Sequence, residues 1–405
     1  MRIFTAVRHS VDPKFYYGGL WSGNFYPALR ELRQEVVESK VDLVPASKFM
    51  HIATQFTSQE LEVRSRITQQ IVDEVKRAHA QQPLDLFLSY FYNAHFDPSG
   101  FAQIHRLGIP TINFYCNSIY QFDLVKGIAP KVSFAWHAER DARPLYVGVG
   151  ANPVWVQMAA DPTSYHPVPE LSRDAKACFV GLRYADRDRW MASLVKAGVP
   201  VDIYGPGWTK HASNNGNAWQ HQEYLGRTSS EPGSLSSYGH LISKNIRTTG
   251  AVSGLARTWR QLQYRRETKM LSPLFESVAK GPIPFEGISR VFAGHEVVLN
   301  FSNVWADGRP GSKLIPHVRL RDFEAPMCRT CYLTQNTDEL TEFYEPEKEV
   351  VTYKSPEELV DKTKYYLSHR ADAERVRQAG YDRALRDHTW VQRFKQLFAA
   401  VGLAK

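Results

Sequence analysis

The sequence predicts two α/β units, each wound around a parallel sheet. Three observations carry this expectation. Short apolar runs alternate with segments of helical periodicity through the first half of the chain. The alternation restarts after Ala160-Asp161-Pro162-Thr163-Ser164-Tyr165-His166-Pro167-Val168-Pro169, a proline-rich stretch that can continue neither helix nor strand. The chain has 405 residues, and at ~150 residues per domain that is room for two or three.

In the first unit, the apolar run over 3–7 reads as a buried strand, followed by the glycine-rich aromatic loop Tyr16-Tyr17-Gly18-Gly19-Leu20-Trp21. A helix is expected over 24–38 and a strand over 41–44. Ser58 stands as N-cap of a helix over 58–81, where Leu61, Ile67, Ile71 and Val75 fall near helical spacing. A strand over 85–90, a helix over 98–107 closed by Gly108, and a strand over 110–115 complete the pattern. In the second unit, a strand over 177–181, a helix over 187–197 and a strand over 199–204 lead to the turn Gly205-Pro206-Gly207. Later strands are expected at 297–301, 330–334 and 350–351. The expected boundaries are 1–160 for the first unit, 161–175 for a linker, 176–385 for the second unit and 386–405 for a terminal helix.

Residues 210–284 break the rhythm and read as an insertion. Its helical stretch over 256–271 sets Arg257, Arg260, Arg265, Arg266 and Lys269 against a single Glu267, with Leu255, Trp259, Leu262 and Met270 broadly on one side. A basic amphipathic helix can lie on an anionic membrane face. The alternative is a helix that packs its apolar side on the second unit and leaves the arginines in water.

Composition narrows the classes. With 43% hydrophobic and 23% charged residues the chain is globular, not disordered. The balance of 50 basic against 42 acidic residues, a net +8, points to an anionic partner: a phosphorylated small molecule, nucleic acid or an acidic membrane. Only charge and the arginine-rich stretch speak for nucleic acid, so none is expected. Four cysteines make no disulfide scaffold and favour a reducing compartment. No run approaches the ~20 apolar residues that span a bilayer, and Arg8-His9 interrupts the N-terminal run too early for a secretion signal. The expectation is a cytoplasmic protein, with a peripheral contact at the inner membrane face under the first reading of 256–271.

Several motifs are excluded. Gly148-Val149-Gly150-Ala151-Asn152-Pro153 lacks the third glycine of a dinucleotide fingerprint and precedes a strand pattern, not a helix. Cys328-Arg329-Thr330-Cys331 is a lone pair without the second pair a structural zinc needs, and reads as two small buried residues. The histidines show no metal-binding spacing, so no metal is expected.

The strongest constellation is Arg319-Leu320-Arg321-Asp322-Phe323-Glu324-Ala325-Pro326-Met327-Cys328. If it is helical, Arg321 and Glu324 share a face. Such a carboxylate can accept hydrogen bonds from both ribose hydroxyls, and such an arginine can meet phosphate oxygens. A surface ion pair is the plainer reading of the same spacing.

This stretch resembles the signature of the spore-maturation (CgeB-like) glycosyltransferases. The similarity continues through Leu333-Thr334, Glu339-Leu340, Glu345-Pro346-Glu347-Lys348-Glu349-Val350-Val351-Thr352-Tyr353, Glu357-Glu358-Leu359 and His388-Thr389-Trp390-Val391-Gln392-Arg393. Earlier matches are Phe179-Val180-Gly181 and Tyr204-Gly205-Pro206-Gly207-Trp208. Two positions depart from the pattern: Arg329-Thr330 stands where the family has Gly-Gly, and Pro316 stands at the first glutamate of a Glu-x7-Glu motif whose second is Glu324.

The resemblance implies a GT-B architecture, two Rossmann-like domains facing across a cleft, with the nucleotide-sugar in the C-terminal one. It implies glycosyl transfer from a nucleoside diphosphate sugar to a hydroxyl of a glycan, lipid-linked or protein acceptor, with neither metal nor cofactor. Glu324 would hold the ribose. Arg183, Lys313 and Arg321 would clamp the diphosphate beside Gly181 and Gly205. Gly18 and Gly19 would let the backbone approach sugar or acceptor, and His95 would be the general base. The alternative is a non-catalytic nucleotide-sugar-binding protein of the same fold.

Overall fold

The computed structural model describes residues 1–10, 19–208, 251–308 and 310–403. Among the described residues two compact units result: 1–163 with 385–403, and 164–208 with 251–384.

The first unit holds a six-stranded parallel sheet of β1 (Arg2–Ala6), β2 (Glu35–Glu38), β3 (Leu86–Ser89), β4 (Thr111–Tyr115), β5 (Phe134–His137) and β6 (Pro153–Trp155), in the order β2-β1-β3-β4-β5-β6. Between strands lie α1 (Leu20–Glu31), α2 (Ser58–Gln81) and α3 (Pro98–His105). The long helix α2 is capped one residue earlier than expected. Thr57 accepts the amide of Glu60 while Glu60 accepts that of Thr57, a reciprocal capping box. The helix expected over 24–38 stops at Glu31, because Arg33 adopts a φ of 55° and reverses the chain. The β-branched pair Val36 and Val37 then pairs in parallel with Ile3 and Phe4. The strand expected over 41–44 is replaced by one helical turn, Val44–Ser47, with Pro45 in its first turn.

The C-terminal helix, Trp390–Ala400, completes this unit's core. Its Trp390 indole donates to Asn24 at 2.9 Å and its Phe394 ring meets Phe25 and Trp136.

The second unit repeats the plan with β7 (Asp174–Val180), β8 (Val201–Tyr204), β9 (Ala279–Gly281), β10 (His295–Asn300), β13 (Cys331–Gln335) and β14 (Val351–Tyr353), in the order β14-β13-β10-β7-β8-β9. A small antiparallel hairpin, β11 (Val304–Trp305) with β12 (Leu314–Ile315), stands apart from it. The helices are α4 (Arg187–Lys196), α5 (Ala251–Phe275), α6 (Ile288–Ala293), α7 (Arg321–Met327) and α8 (Pro356–Ser368). The sheet packs Phe179, Ile203, Val297, Leu299, Leu333 and Val351 against Met191, Leu194 and Leu359.

This order places the functional end. The sheet starts at β7, grows outward through β8, then restarts on the other side with β10. Its topological switch point lies between the carboxyl ends of β7 and β10, where open α/β sheets bind ligands. Among the described residues no helix is long and apolar enough to cross a membrane.

Candidate active site

The carboxyl end of β7 runs into Gly181. A Cβ there would come 2.6 Å from the Phe179 ring and 3.1 Å from an Arg187 nitrogen, so only glycine leaves this path open. Arg187, at the start of α4, lies over the Phe179 ring and is buried, donating to the Leu182 carbonyl at 2.7 Å. Burial and then the nearby charge of Arg319 push its guanidinium down to about 9, with Arg321 adding to the effect. Its Nε has no hydrogen-bond partner among the described residues, and neither does the buried Nε of Arg319.

From the other side of the switch point, β10 delivers Asn300, Ser302 and Asn303. Arg319 donates to the Asn303 carbonyl at 3.0 Å, and the Asn303 side chain donates to Asp186 at 2.7 Å. Asn303 thus bridges the segments carrying Arg187 and Arg319. Asp322 fixes α7 at this end. Its buried carboxylate accepts from Tyr332, Thr334, Asn300 and the Arg319 amide, tying three sequence segments together. Burial raises the Asp322 carboxyl above the usual range.

On α7, Arg321 and Glu324 form the expected i,i+3 pair at 2.7 Å, but it is no surface pair: Glu324 is buried. Arg321 also lies over the Phe292 ring of α6, 5.1 Å from its centroid. The result is a buried carboxylate and three arginines at one sheet end. Buried cations with like-charged neighbours are costly unless an anion joins them.

A cavity of about 340 Å³ adjoins, lined by Asp186, Arg189, Tyr264, Glu267, Trp305 and Lys313. That falls at the lower end of ligand-pocket sizes. Tyr264 and Trp305 meet edge to face at 5.4 Å, and Arg189 is held by both oxygens of Glu267. Asp186 belongs both to this lining and to the Asn303 bridge, so the cavity lies beside the arginine cluster.

The expected site residues divide accordingly. Glu324, Arg321 and Gly181 lie together at the switch point, and Lys313 lines the adjoining cavity. Gly205 packs backbone to backbone on Gly181, where a Cβ would come 2.3 Å from the Gly181 carbonyl oxygen. Arg183 is not available to a phosphate. Both Asp188 oxygens, the Ser272 hydroxyl and the Thr268 carbonyl take its donors, and it stacks near Phe275. At the switch point it is Arg187 and Arg319 whose buried Nε atoms have no hydrogen-bond partner among the described residues. Arg187 gave no signal because Arg187-Asp188-Arg189 reads as a charged first helical turn.

Gly18 lies outside the described residues. Gly19 precedes α1 with an ordinary φ of −100°. His95 is fully buried rather than placed for catalysis. Its Nδ1 accepts the Tyr92 amide, which leaves the proton on Nε2 facing the Ser47 hydroxyl at 3.0 Å. Burial and neighbouring His9 hold it well below the usual histidine range. Its one ring lone pair, on Nδ1, already accepts the Tyr92 amide, and its Nε2 proton faces Ser47, so neither nitrogen is open to a substrate proton.

Arg329 has a φ of 56°, the left-handed region that glycine favours. The backbone therefore keeps a glycine-like bend where the resembled pattern has Gly-Gly. Cys328 and Cys331 are buried free thiols, both pushed up to about 12 by burial. Among the described residues no group of His, Cys, Asp or Glu could hold a metal ion.

Residues 236–399 match a family model described as glycosyl transferase-like. No match is found among curated protein sequences. Among solved structures, sucrose-phosphate synthase from Thermosynechococcus elongatus matches with a TM-score of 0.56 at 13% identity, over 99% of this chain and 100% of that one. Anabaena HepE in complex with UDP and glucose matches with a TM-score of 0.56 at 10% identity, over 99% of each chain. AviGT4, a glycosyltransferase involved in avilamycin A biosynthesis, matches with a TM-score of 0.54 at 14% identity, over 99% of this chain and 97% of that one. The chain thus shares the GT-B fold of these solved structures, and its residues 236–399 are similar to the glycosyl transferase-like family.

Proposed function

We propose that the chain transfers a sugar from a nucleoside diphosphate sugar to a hydroxyl of a glycan, lipid-linked or protein acceptor, without a metal ion or cofactor. The observation that carries this is the convergence of Arg187, Arg319 and Arg321 beside the buried Glu324 at the switch point of the second sheet. As the bond from the anomeric carbon to the leaving oxygen breaks, negative charge grows on the diphosphate. Guanidinium groups already fixed in a buried site stabilise that charge with little reorganisation. This is the work a divalent cation does in other transferases. Glu324 would exchange its contact with Arg321 for the ribose hydroxyls, which releases Arg321 toward phosphate. The adjoining cavity, with Asp186, Lys313 and Trp305, would take the sugar.

HepE is described with UDP and with UDP-glucose bound, which makes UDP-glucose the first donor to test. Titration calorimetry of UDP and UDP-glucose, with EDTA present, should give saturable binding. Glu324→Ala should lower that affinity about 10- to 100-fold, the worth of a charged hydrogen bond of about 1.5–3 kcal/mol. Unchanged affinity in a folded variant would remove the ribose role. Tight binding with no donor consumption, by water or any acceptor, would favour the non-catalytic alternative.

A further inference from the structure

We propose that the outward face of α5 is a docking surface for an anionic phospholipid membrane. The inward face of this helix is fixed by specific contacts. Arg257 pairs with Asp307 at 2.7 Å, Gln261 donates to the Pro310 carbonyl, Tyr264 meets Trp305, and Arg183 holds Thr268 and Ser272. These positions fall on one side at helical spacing, and they leave the opposite side no freedom to roll inward.

That opposite side is apolar where a soluble helix is polar. Val252 is 83% exposed, Leu255 53%, Trp259 63% and Met270 60%. They form one stripe roughly 27 Å long at 1.5 Å per residue. Leu271 and Leu274 pack on the core and Arg257 faces inward, while Leu255, Trp259 and Met270 face out together with Arg265 and Arg266.

Charge selects the occupant. The helix carries Arg257, Arg260, Arg265, Arg266 and Lys269 against Glu267 alone, and Glu267 is taken by Arg189. Arg265, Arg266 and Lys269 are exposed and make no ion pair among the described residues. Arg266 lies on the stripe between Trp259 and Met270, and Lys269 beside it. An apolar stripe flanked by unpaired cations, with tryptophan at its middle, suits an interfacial helix lying in the plane of acidic headgroups. The stems of Arg266 and Lys269 can lie along acyl chains while their charges reach phosphate. The surface depends on how α5 is anchored and not on the donor reading, so the two stand or fall separately.

The test is co-sedimentation of the full chain with vesicles of phosphatidylcholine alone and of phosphatidylcholine mixed with phosphatidylglycerol. Sedimentation with the mixed vesicles at low salt, weakened by high salt and absent with phosphatidylcholine alone, is expected. The triple variant Arg265→Gln, Arg266→Gln, Lys269→Gln should lower partitioning roughly 100-fold, a factor of about five per juxtamembrane charge. Leu255→Ser with Trp259→Ser should abolish it, with the circular dichroism spectrum unchanged because both side chains lie outside the core. UDP-glucose affinity, measured on the same variants, should stay at the wild-type value. Absence of sedimentation, equal sedimentation with both vesicles, or variants that bind like wild type would each overturn the proposal. A concentration-dependent dimer that Leu255→Ser with Trp259→Ser dissociates, without vesicle binding, would assign the face to a second copy of the chain instead.

Discussion

Arg183 and Arg187 are four residues apart and do opposite things. Arg183 meets Asp188 with two hydrogen bonds at 2.8 and 2.9 Å, and its remaining donors reach α5. Every charge there is matched within the protein. Arg187 is buried with one carbonyl acceptor; burial and the repulsion of Arg319 and Arg321 keep its guanidinium lowered, and the attraction of Tyr184 and Asp186 does not offset them. The two alanine variants should therefore separate stability from binding. Arg183→Ala leaves Asp188 as an unpaired buried charge and should cost about 3–5 kcal/mol, read as a lower unfolding midpoint. In the fraction that folds, UDP affinity should be near wild type. Arg187→Ala removes a buried cation that is repelled by two arginines as well as attracted by Asp186, so stability should change little. UDP affinity should fall roughly 10-fold or more while uridine affinity holds. Equal losses for UDP and uridine would show that Arg187 only shapes the local backbone.

At the scale of elements, the ends of β7 and β8 are stitched together so that the switch point stays open. The Gly181 amide donates to the Tyr204 carbonyl at 2.8 Å, and the Trp208 indole donates back to the Gly181 carbonyl at 2.9 Å. Gly205 adopts a φ of 133°, and a Cβ there would strike the Gly181 carbonyl. Gly205→Ala should thus destabilise the second unit by several kcal/mol, about 1–3 from backbone strain and more from the clash. Gly198→Ala is the comparison. Its φ of 69° is also left-handed but the space around it is open, so about 1 kcal/mol is expected. Similar midpoints for both variants in thermal unfolding would show that the contact between Gly205 and Gly181 carries no weight.

The Tyr204-Gly205-Pro206-Gly207 turn was legible in the sequence because glycine and proline announce it. So were the strands β1, β3, β4, β7, β10 and β13, with their short apolar runs, but not β5, whose Phe-Ala-Trp-His run gave no expected strand. The edge strand β2 was not, since Glu-Val-Val-Glu continues a helical pattern and the reversal at Arg33 uses no glycine. The Arg321 and Glu324 pair was legible through its spacing. The rest of the cluster was not, because Arg187 joins it from 134 residues away through the parallel pairing of β7 and β10.

Across the whole molecule, buried histidines make stability depend on acid. His9 and His137 are each held down to about 4 and His317 to about 3, in every case chiefly by burial. The same rings in an unfolded chain take up a proton near 6.5. Between those values the unfolded chain binds protons that the folded chain refuses, so unfolding becomes easier as pH falls. The contribution of each ring is fully present above about 6.5 and is lost on the way down to about 4, or about 3 for His317. A ring lowered from 6.5 to about 4 withholds up to about 3 kcal/mol. The rings belong to both units: His9 and His137 to the first, His317 to the second. Calorimetric scans from pH 7.5 to 4.5 should therefore show the unfolding transitions of both units moving to lower temperature, most steeply below about pH 6.5. His317→Gln should flatten that dependence for the second unit alone, because a neutral amide has no proton to gain. Transitions that hold their temperature down to pH 4.5 would mean that these rings are already protonated in the folded protein.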